Sequence, residues 1–292
     1  VGAFILTVFI VEYSVQWERQ RLKLEFDQQV LPLAPAIEQT LIKYINVLHS
    51  LQGFYAATPN MTREQFRKFT QRQFAVLPGI QALSWNPNIH QNERAQFERT
   101  IQQEGFANFR ITERNADGEL IPANDRDEYV SVQFIEPFDS NIKAFGFDVA
   151  SNKTRKKALA LARLTGKPIA TAPIKLVQET GSQFGFLIFF PIYRTDGSNK
   201  TTQEARADFM GYMVGVFKGS DIIKSAIKHL DQEGISYQLS DKTEPDNPEV
   251  LIETALQDMV ISALDEDGIF GGYLPISRRF SIDFAGRKWV YE

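Results

Sequence analysis

Cysteine is absent from the 292-residue chain, and histidine occurs only at His49, His90 and His229. The first absence excludes disulfides, thiolate zinc sites and cysteine nucleophiles. The three histidines lie too far apart in sequence for a metal-ligand motif, so we predict no metal and no cofactor. A formal net charge of -4 lacks the basic surplus of nucleic-acid-binding domains. We therefore also predict no nucleic-acid partner.

Catalytic motifs are missing as well. The sequence contains no G-x-S-x-G elbow, no P-loop and no H-E-x-x-H pattern. Acid pairs such as Glu266 and Asp267 stand in polar context and are more typical of a solvated surface than of acid–base catalysis. We predict that this chain is not an enzyme, with a hydrolase of unfamiliar site as a remote alternative.

The chain begins with the apolar run VGAFILTVFIV, which is too short to span a bilayer because a spanning helix needs about 20 residues. We interpret residues 1–11 as the end of a truncated transmembrane helix; a buried terminal strand is the alternative. Tyr13 and Trp17 then lie at the membrane interface. The chain is predicted to be extracytoplasmic, periplasmic if the cell is Gram-negative, and attached to the inner or plasma membrane through flanking helices.

Residues 12–57 predict a long stalk helix. Apolar side chains recur at helical spacing, at Leu22, Phe26, Val30, Leu33, Ile37, Leu41, Tyr44, Leu48, Leu51 and Tyr55. Pro32 and Pro35 should kink or split this helix near Pro32. Such a stripe packs against its own domain or against a dimer mate. We predict a parallel homodimer through it.

Helix and strand patterns alternate after the stalk. A Pro-Gly turn precedes a strand over residues 80–85, which we expect the Asn-Pro pair to stop. Two long apolar strands, FGFLIFFPIY and FMGYMVGVF, follow a helix predicted over about residues 154–164. Strands that adjoin one another with helices to one side favour an α+β fold with antiparallel sheets.

Six segments in order carry a family resemblance: LPGIQALSWNP, ERAQFE, DEYVSVQFIEP, GFDVAS with ALALARLTGKPIATAPIKL, FFPIY and GYMVGVF. Together they resemble the CHASE domain, an extracytoplasmic sensor module of histidine kinases and nucleotide cyclases that includes the cytokinin receptors. The resemblance implies a long N-terminal helix followed by tandem PAS-like domains with antiparallel sheets. The membrane-distal, ligand-binding domain would cover residues 58–218, and the membrane-proximal domain residues 219–292.

The resemblance also implies a ligand pocket in the distal domain. Its predicted residues are Asp148, Thr171, Leu176, Val177, Phe189, Pro191, Tyr212 and Gly215. Cytokinin-binding relatives carry a threonine at the position of Phe189, so cytokinin itself is a poor match. An acid in an apolar cavity suits a ligand that donates hydrogen bonds, either adenine-like or bearing an amine. Asp148 as a structural helix cap is the alternative.

The basic run KTRKKALALARLTGK places Lys153, Arg155, Lys156 and Lys157 at a helix start. We interpret it as a solvated helix face, with an anion or anionic-lipid site as the alternative. The function that these features indicate is an extracytoplasmic sensor of a transmembrane receptor, of histidine kinase or diguanylate cyclase type, that binds a small molecule and passes a conformational change across the membrane. The alternative is a dimerisation scaffold without a ligand.

Overall fold

The computed structural model describes residues 2–175, 184–194, 208–231, 235–254 and 276–292. Two helices open the chain, α1 (Gly2–Val30) and α2 (Leu33–Ala57). They are interrupted at Leu31 and Pro32, where the proline has no N–H to donate to the preceding turn. Within these described ranges, no helix combines the length and the apolar content needed to cross a bilayer.

The other described α-helices are shorter, and two of them begin at side-chain caps. Thr62 and Gln65 form a reciprocal capping box at the start of α3. The Asn152 side chain caps the first turn of α6, and Gly166 ends that helix in the left-handed conformation. Within the described ranges, the α-helices after α2 are α3 (Arg63–Val76), α4 (Arg94–Gln103), α5 (Phe138–Asn141), α6 (Lys153–Thr165) and α7 (Gly219–Ile227).

A large antiparallel sheet follows the N-terminal helices. The first nine strands are β1 (Ile80–His90), β2 (Thr112–Arg114), β3 (Leu120–Pro122), β4 (Glu128–Val130), β5 (Phe134–Glu136), β6 (Ile169–Ala170), β7 (Ile174–Lys175), β8 (Phe184–Tyr193) and β9 (Phe209–Lys218). Among the described residues, seven of them make one sheet in the order β4-β1-β9-β8-β6, with β5 on β1 and β7 on β8. Strands β2 and β3 form a separate ribbon.

A smaller antiparallel sheet follows α7. Its strands are β10 (Tyr237–Asp241), β11 (Glu249–Thr254), β12 (Phe280–Phe284) and β13 (Arg287–Tyr291). In the part of the chain that is described they pair in the order β11-β10-β13-β12. The prediction of an α+β fold, with a long N-terminal helix and two successive antiparallel sheets, is confirmed.

Each face of the large sheet has its own core. The side chains of one face, among them Phe186, Met213 and Phe217, pack with α2 and with the smaller sheet. The opposite face, among them Leu187 and Val214, packs with α6 and the segments around β4 and β5. Because neighbouring residues on a strand point to opposite faces, β8 and β9 contribute to both cores.

Most of the apolar stalk stripe is used within the chain. The side chains of Leu33, Ile37, Leu41, Leu48 and Leu51 are at most 1% exposed, because they pack into the core that joins the two sheets. These positions are closed to a partner. Apolar surface on the helices remains exposed mainly on α1.

The predicted end of the first strand is wrong, since β1 continues through the Asn-Pro pair to His90. Pro87 lies opposite Gly211 of β9. A Cβ on Gly211 would lie only 2.4 Å from the backbone oxygen of Asn86 and 2.7 Å from the Pro87 Cα. The absence of a side chain there lets the two backbones approach closely, so the sheet accommodates a proline that a sequence rule treats as a stop.

Candidate functional site: a cavity over the large sheet

A cavity of about 300 Å³ lies over the face of the large sheet that packs with α6. Its size is at the lower end of the range for small-molecule sites. The floor consists of side chains from the three central strands, and the walls consist largely of apolar residues from the segments that cover them. The cavity-lining residues include Ala82, Ser84, Asn86, Arg114, Val132, Ile135, Asn141, Lys143, Phe147, Val149, Arg155, Leu187, Val214 and Val216.

Strand register explains the floor. Ala82, Ser84 and Asn86 alternate along β1 and therefore share one face. Val216 lies opposite Ala82 and Val214 opposite Ser84 in the antiparallel pairing of β1 with β9. This arrangement places one buried amide, that of Asn86, at one end of a mostly aliphatic surface.

Asn86 is fully buried, with 0% of its surface exposed. Neither its side-chain oxygen nor its side-chain nitrogen has a hydrogen-bond partner among the described residues. A second asparagine of the cavity, Asn141, differs: its Nδ2 donates to the Pro137 carbonyl at 2.8 Å, and its Oδ1 accepts from Gln81 at 3.3 Å. Because an unpaired buried amide is costly, Asn86 is the polar group that a ligand can satisfy.

Arg155 brings a positive charge to the cavity from the first turn of α6. It lies three, four and seven residues before Ala158, Leu159 and Ala162, the buried residues of that helix. Helical geometry therefore turns it inward. The neighbouring Lys153, Lys156 and Lys157 are exposed, so the predicted solvated face holds for these three residues and not for Arg155.

The Arg155 guanidinium lies 5.3 Å from the centre of the Phe147 ring. Its Nε is buried, and no described residue accepts a hydrogen bond from it. Burial, and secondarily the nearby Arg114 guanidinium, hold the pKa of Arg155 below its usual value. Arg155 and Arg114 both line the cavity, which makes this part of the wall electropositive.

The structure places Asp148 beside the cavity but outside its lining. The residues before and after Asp148, Phe147 and Val149, line the cavity instead. One carboxylate oxygen accepts hydrogen bonds from the backbone amides of Val130 and Ala150, each at 3.0 Å. The other accepts from Arg126 at 2.9 Å.

The side chain of Asp148 is fully buried within this network, at 0% exposure. Arg126 also pairs with Glu113, which in turn accepts from the backbone amide of Asn124 at 3.3 Å. Burial raises the pKa of the Asp148 carboxyl, although the Val130 amide, Arg126 and the Ala150 amide act in the opposite direction. The hydrogen bond to Ala150 caps the short 3-10 turn at 149–151. The alternative of a structural cap therefore has a geometric basis, and ligand contact by Asp148 stays a prediction.

None of the other predicted site residues that the structure describes lines the cavity. The Thr171 hydroxyl accepts a hydrogen bond from the Leu187 amide at 3.1 Å. Phe189 contacts the ring of Tyr212, with ring centroids 5.8 Å apart, and the Tyr212 hydroxyl donates to the Leu159 carbonyl at 2.8 Å. Pro191 lies opposite Tyr212. Gly215 faces the other core, since Val214 and Val216 on either side of it line the cavity. Leu176 and Val177 lie outside the described residues.

The sequence prediction omits two polar residues that line the cavity, Asn86 and Arg155, although the sequence pattern around each indicates which way it points. Asn86 shares the alternation of Ala82 and Ser84, but the strand was predicted to end one residue before it. Arg155 falls on the apolar stripe of α6, but it stands in a basic run whose other members face solvent. Asp148 was the more conspicuous residue because a carboxylate between two apolar neighbours has no local explanation in sequence.

A family model described as the CHASE domain matches residues 59–252, more than half of the chain. Probable histidine kinase 4 of rice, Oryza sativa subsp. japonica, is 23% identical over 264 residues, which cover 86% of this chain and 25% of the rice protein. Histidine kinase 3 of Arabidopsis thaliana is 26% identical over 175 residues, covering 56% of this chain and 16% of that protein. The chain thus spans about a quarter or less of the length of these curated relatives.

Solved structures of low sequence identity also align with most of the chain. The ligand-binding domain of the Pseudomonas aeruginosa PAO1 amino acid chemoreceptor PctC, in complex with GABA, aligns with a TM-score of 0.46 and 13% identity over 92% of this chain and 96% of its own. A structure named methyl-accepting chemotaxis protein X aligns with a TM-score of 0.49 and 11% identity over 94% of this chain and 97% of its own.

Proposed function

Because the chain belongs to the CHASE domain family, we propose that it is the ligand-binding sensor part of a transmembrane receptor whose effector is of histidine kinase or diguanylate cyclase type. A sensor role is the role of this family, and curated histidine kinases share the domain. The cavity over the large sheet is the proposed ligand site. The observation that supports it most is the fully buried Asn86 amide, which lines the cavity and has no hydrogen-bond partner among the described residues.

The route of the signal follows from the two faces of β9. Val214 and Val216 line the cavity, whereas Met213 and Phe217 pack in the core that contains α2. The Phe217 ring contacts Tyr44 of α2 edge to face, with centroids 5.5 Å apart. A ligand that displaces β9 would therefore push on the helix that leads back to the N-terminus. We place the membrane at that end of the molecule, with the domain outside the cytoplasm.

A parallel homodimer is proposed through the exposed apolar side chains of α1. Leu22 and Leu24 of this helix are 41% and 63% exposed, in contrast to the buried stripe on α2. Because these 292 residues contain no cysteine, single-cysteine variants can be placed here in the full-length protein in its membrane, with any cysteine elsewhere replaced. Leu22→Cys should crosslink to a second copy, and Leu41→Cys, which is 1% exposed, should not. Absence of crosslinks at all exposed apolar positions of α1 would contradict this surface.

Thermal stability in the presence of small molecules tests the ligand site, because a compound that binds only the folded state raises the melting temperature. The matched control is Val216→Phe, which places a larger side chain in the cavity. We expect hits from a metabolite collection to stabilise the wild type by several degrees and the control far less. Hits that stabilise both proteins equally bind elsewhere. A broad collection without hits would favour the alternative of a scaffold without a ligand.

A further inference from the structure

The proposed ligand site contains an uncompensated positive charge. Arg114, Lys143 and Arg155 are its cationic lining residues, and Asp139 is the one acid among the lining residues of the described chain. Arg155 is the most deeply placed of the cations, since its Nε is buried. No ion pair of Arg155 is present among the described residues, whereas Arg126 and Arg163 nearby are each paired with acids.

Physical chemistry restricts what such a wall can bind. A guanidinium whose Nε is buried without an acceptor favours an anion, and its planar fork matches a carboxylate. A second cation beside it raises the attraction for a negative charge and repels an ammonium group. The carboxylate of Asp148 cannot offset this preference, because both of its oxygens are engaged by Val130, Ala150 and Arg126.

The remainder of the cavity fits an apolar body with one polar group. Val132, Ile135, Val149 and Leu187 are among the apolar residues that enclose it. At one end of the floor, the Asn86 amide offers both a donor and an acceptor. The volume of about 300 Å³ limits the ligand to a small molecule.

We infer that the site recognises a small organic carboxylate with an apolar body, whose carboxylate binds Arg155 and whose remaining polar group, when present, binds Asn86. This inference rests on the proposed sensor function and names the ligand class of the same cavity. It replaces the adenine-like or amine-bearing ligand that the sequence suggested, because that expectation depended on a free Asp148 carboxylate in the cavity wall.

The test uses matched probes of one shape and different charge. Acetate, 3-methylbutanoate and phenylacetate are each compared with the corresponding primary amide and primary amine, and with adenine and inorganic phosphate, by isothermal titration. We expect at least one carboxylate to bind at least tenfold more tightly than its amide and amine. Preference for an amine, for adenine or for phosphate alone would overturn the inference.

Variants of α6 test whether Arg155 is the cation that binds the ligand carboxylate. Arg155→Gln should weaken the binding of the preferred carboxylate at least tenfold, Arg155→Lys should retain part of it, and Lys156→Gln, which removes an exposed positive charge one residue away, should leave it unchanged. Arg155→Gln should melt at or above the wild-type temperature, because it removes a buried unpaired cation; a lower melting temperature would indicate a structural role. Equal affinity of Arg155→Gln and Lys156→Gln would overturn the assignment.

The two proposals fail in different ways. If a neutral or cationic probe binds the wild type and loses affinity in Val216→Phe, the ligand site stands and the carboxylate class is wrong. If no probe of any charge binds in the cavity, neither these probes nor a broad metabolite collection, then both proposals are wrong.

Discussion

Replacement of Asn86 by leucine should stabilise the ligand-free protein. The side chain is fully buried in the central strand β1, and its oxygen and nitrogen both lack partners among the described residues. A native protein keeps such a group only when something other than folding requires it. Leucine has nearly the same shape, extends the aliphatic floor formed by Val214 and Leu187, and carries no group that needs a hydrogen bond.

The size of the effect follows from the cost of unpaired polar groups. Each buried donor or acceptor without a partner costs about 1–3 kcal/mol. Water that enters the cavity would repay part of that cost, so we expect Asn86→Leu to raise the free energy of unfolding by about 1–2 kcal/mol. Because it removes the ligand's polar anchor, the same change should weaken the binding of any ligand that bonds to the amide.

Urea unfolding monitored by circular dichroism measures the change, with Tyr212→Phe as the matched control. Tyr212 lies directly opposite Asn86 in the sheet, and its hydroxyl does have a partner, the Leu159 carbonyl at 2.8 Å. Its loss should therefore destabilise the protein by about 1 kcal/mol. If Asn86→Leu destabilises the protein as Tyr212→Phe does, the Asn86 amide is satisfied in solution and the argument for its ligand role fails.

Substitutions at Asp148 and Gly211 should each change the stability of the protein in a stated direction. Asp148→Ala should lower the free energy of unfolding by about 2–4 kcal/mol, because two buried backbone amides and Arg126 lose their acceptor; a change below about 1 kcal/mol in urea unfolding would show that the carboxylate is not structural. Burial raises the pKa of Asp148 in the folded state, so the unfolded chain binds fewer protons there, and wild-type stability relative to Asp148→Asn should fall as pH rises from about 4 to 7. A rise in this relative stability over the same pH range would contradict a raised pKa of Asp148. Gly211→Ala should cost more than about 2 kcal/mol because its Cβ would collide with backbone atoms, whereas Gly105→Ala, at a positive φ but in open space, should cost about 1 kcal/mol; equal melting temperatures would refute the close approach.

The fold class could be predicted because it depends on local patterns that repeat. Two proline-separated apolar stripes, capped helices and long apolar strands each carry their own signal, and antiparallel strands that adjoin in sequence pair in space. The continuation of β1 past Asn86 to His90 could not be predicted, because it depends on the close approach of Gly211 to Pro87, two residues more than a hundred positions apart. Local rules treat Asn-Pro as a stop, and only the sheet register shows otherwise.

None of the predicted site residues that the structure describes lines the proposed cavity, and their contact with a ligand stays a prediction. Asp148 and Gly215 each stand between two residues that line the cavity, so positions 148 and 215 themselves face away from it. On short irregular segments, the direction in which a side chain points depends on tertiary hydrogen bonds. For Asp148 these are the bonds that its carboxylate accepts from Val130 and Ala150. The orientation of Arg155 could be predicted from the sequence, because it lies three and seven residues before the apolar Ala158 and Ala162 on the same helix.

The two charged side chains at the cavity have different surroundings. The Asp148 carboxylate accepts three hydrogen bonds, which join Arg126, β4 and the turn before α6. Arg155 faces the cavity without an acid partner in the described chain. A buried charge that is satisfied within the protein stabilises the fold, and one that is not is available to a ligand.

The most direct test of the ligand site is methyl NMR of the protein with a compound selected by its thermal shift. Labelled methyl groups of Val214, Val216 and Leu187 report on the cavity, and those of Leu251 and Val290 report on the smaller sheet. We predict that saturating compound shifts the first group of resonances strongly and the second group weakly or not at all. Shifts confined to the smaller sheet, or no shift at any of the three cavity residues, would contradict the account.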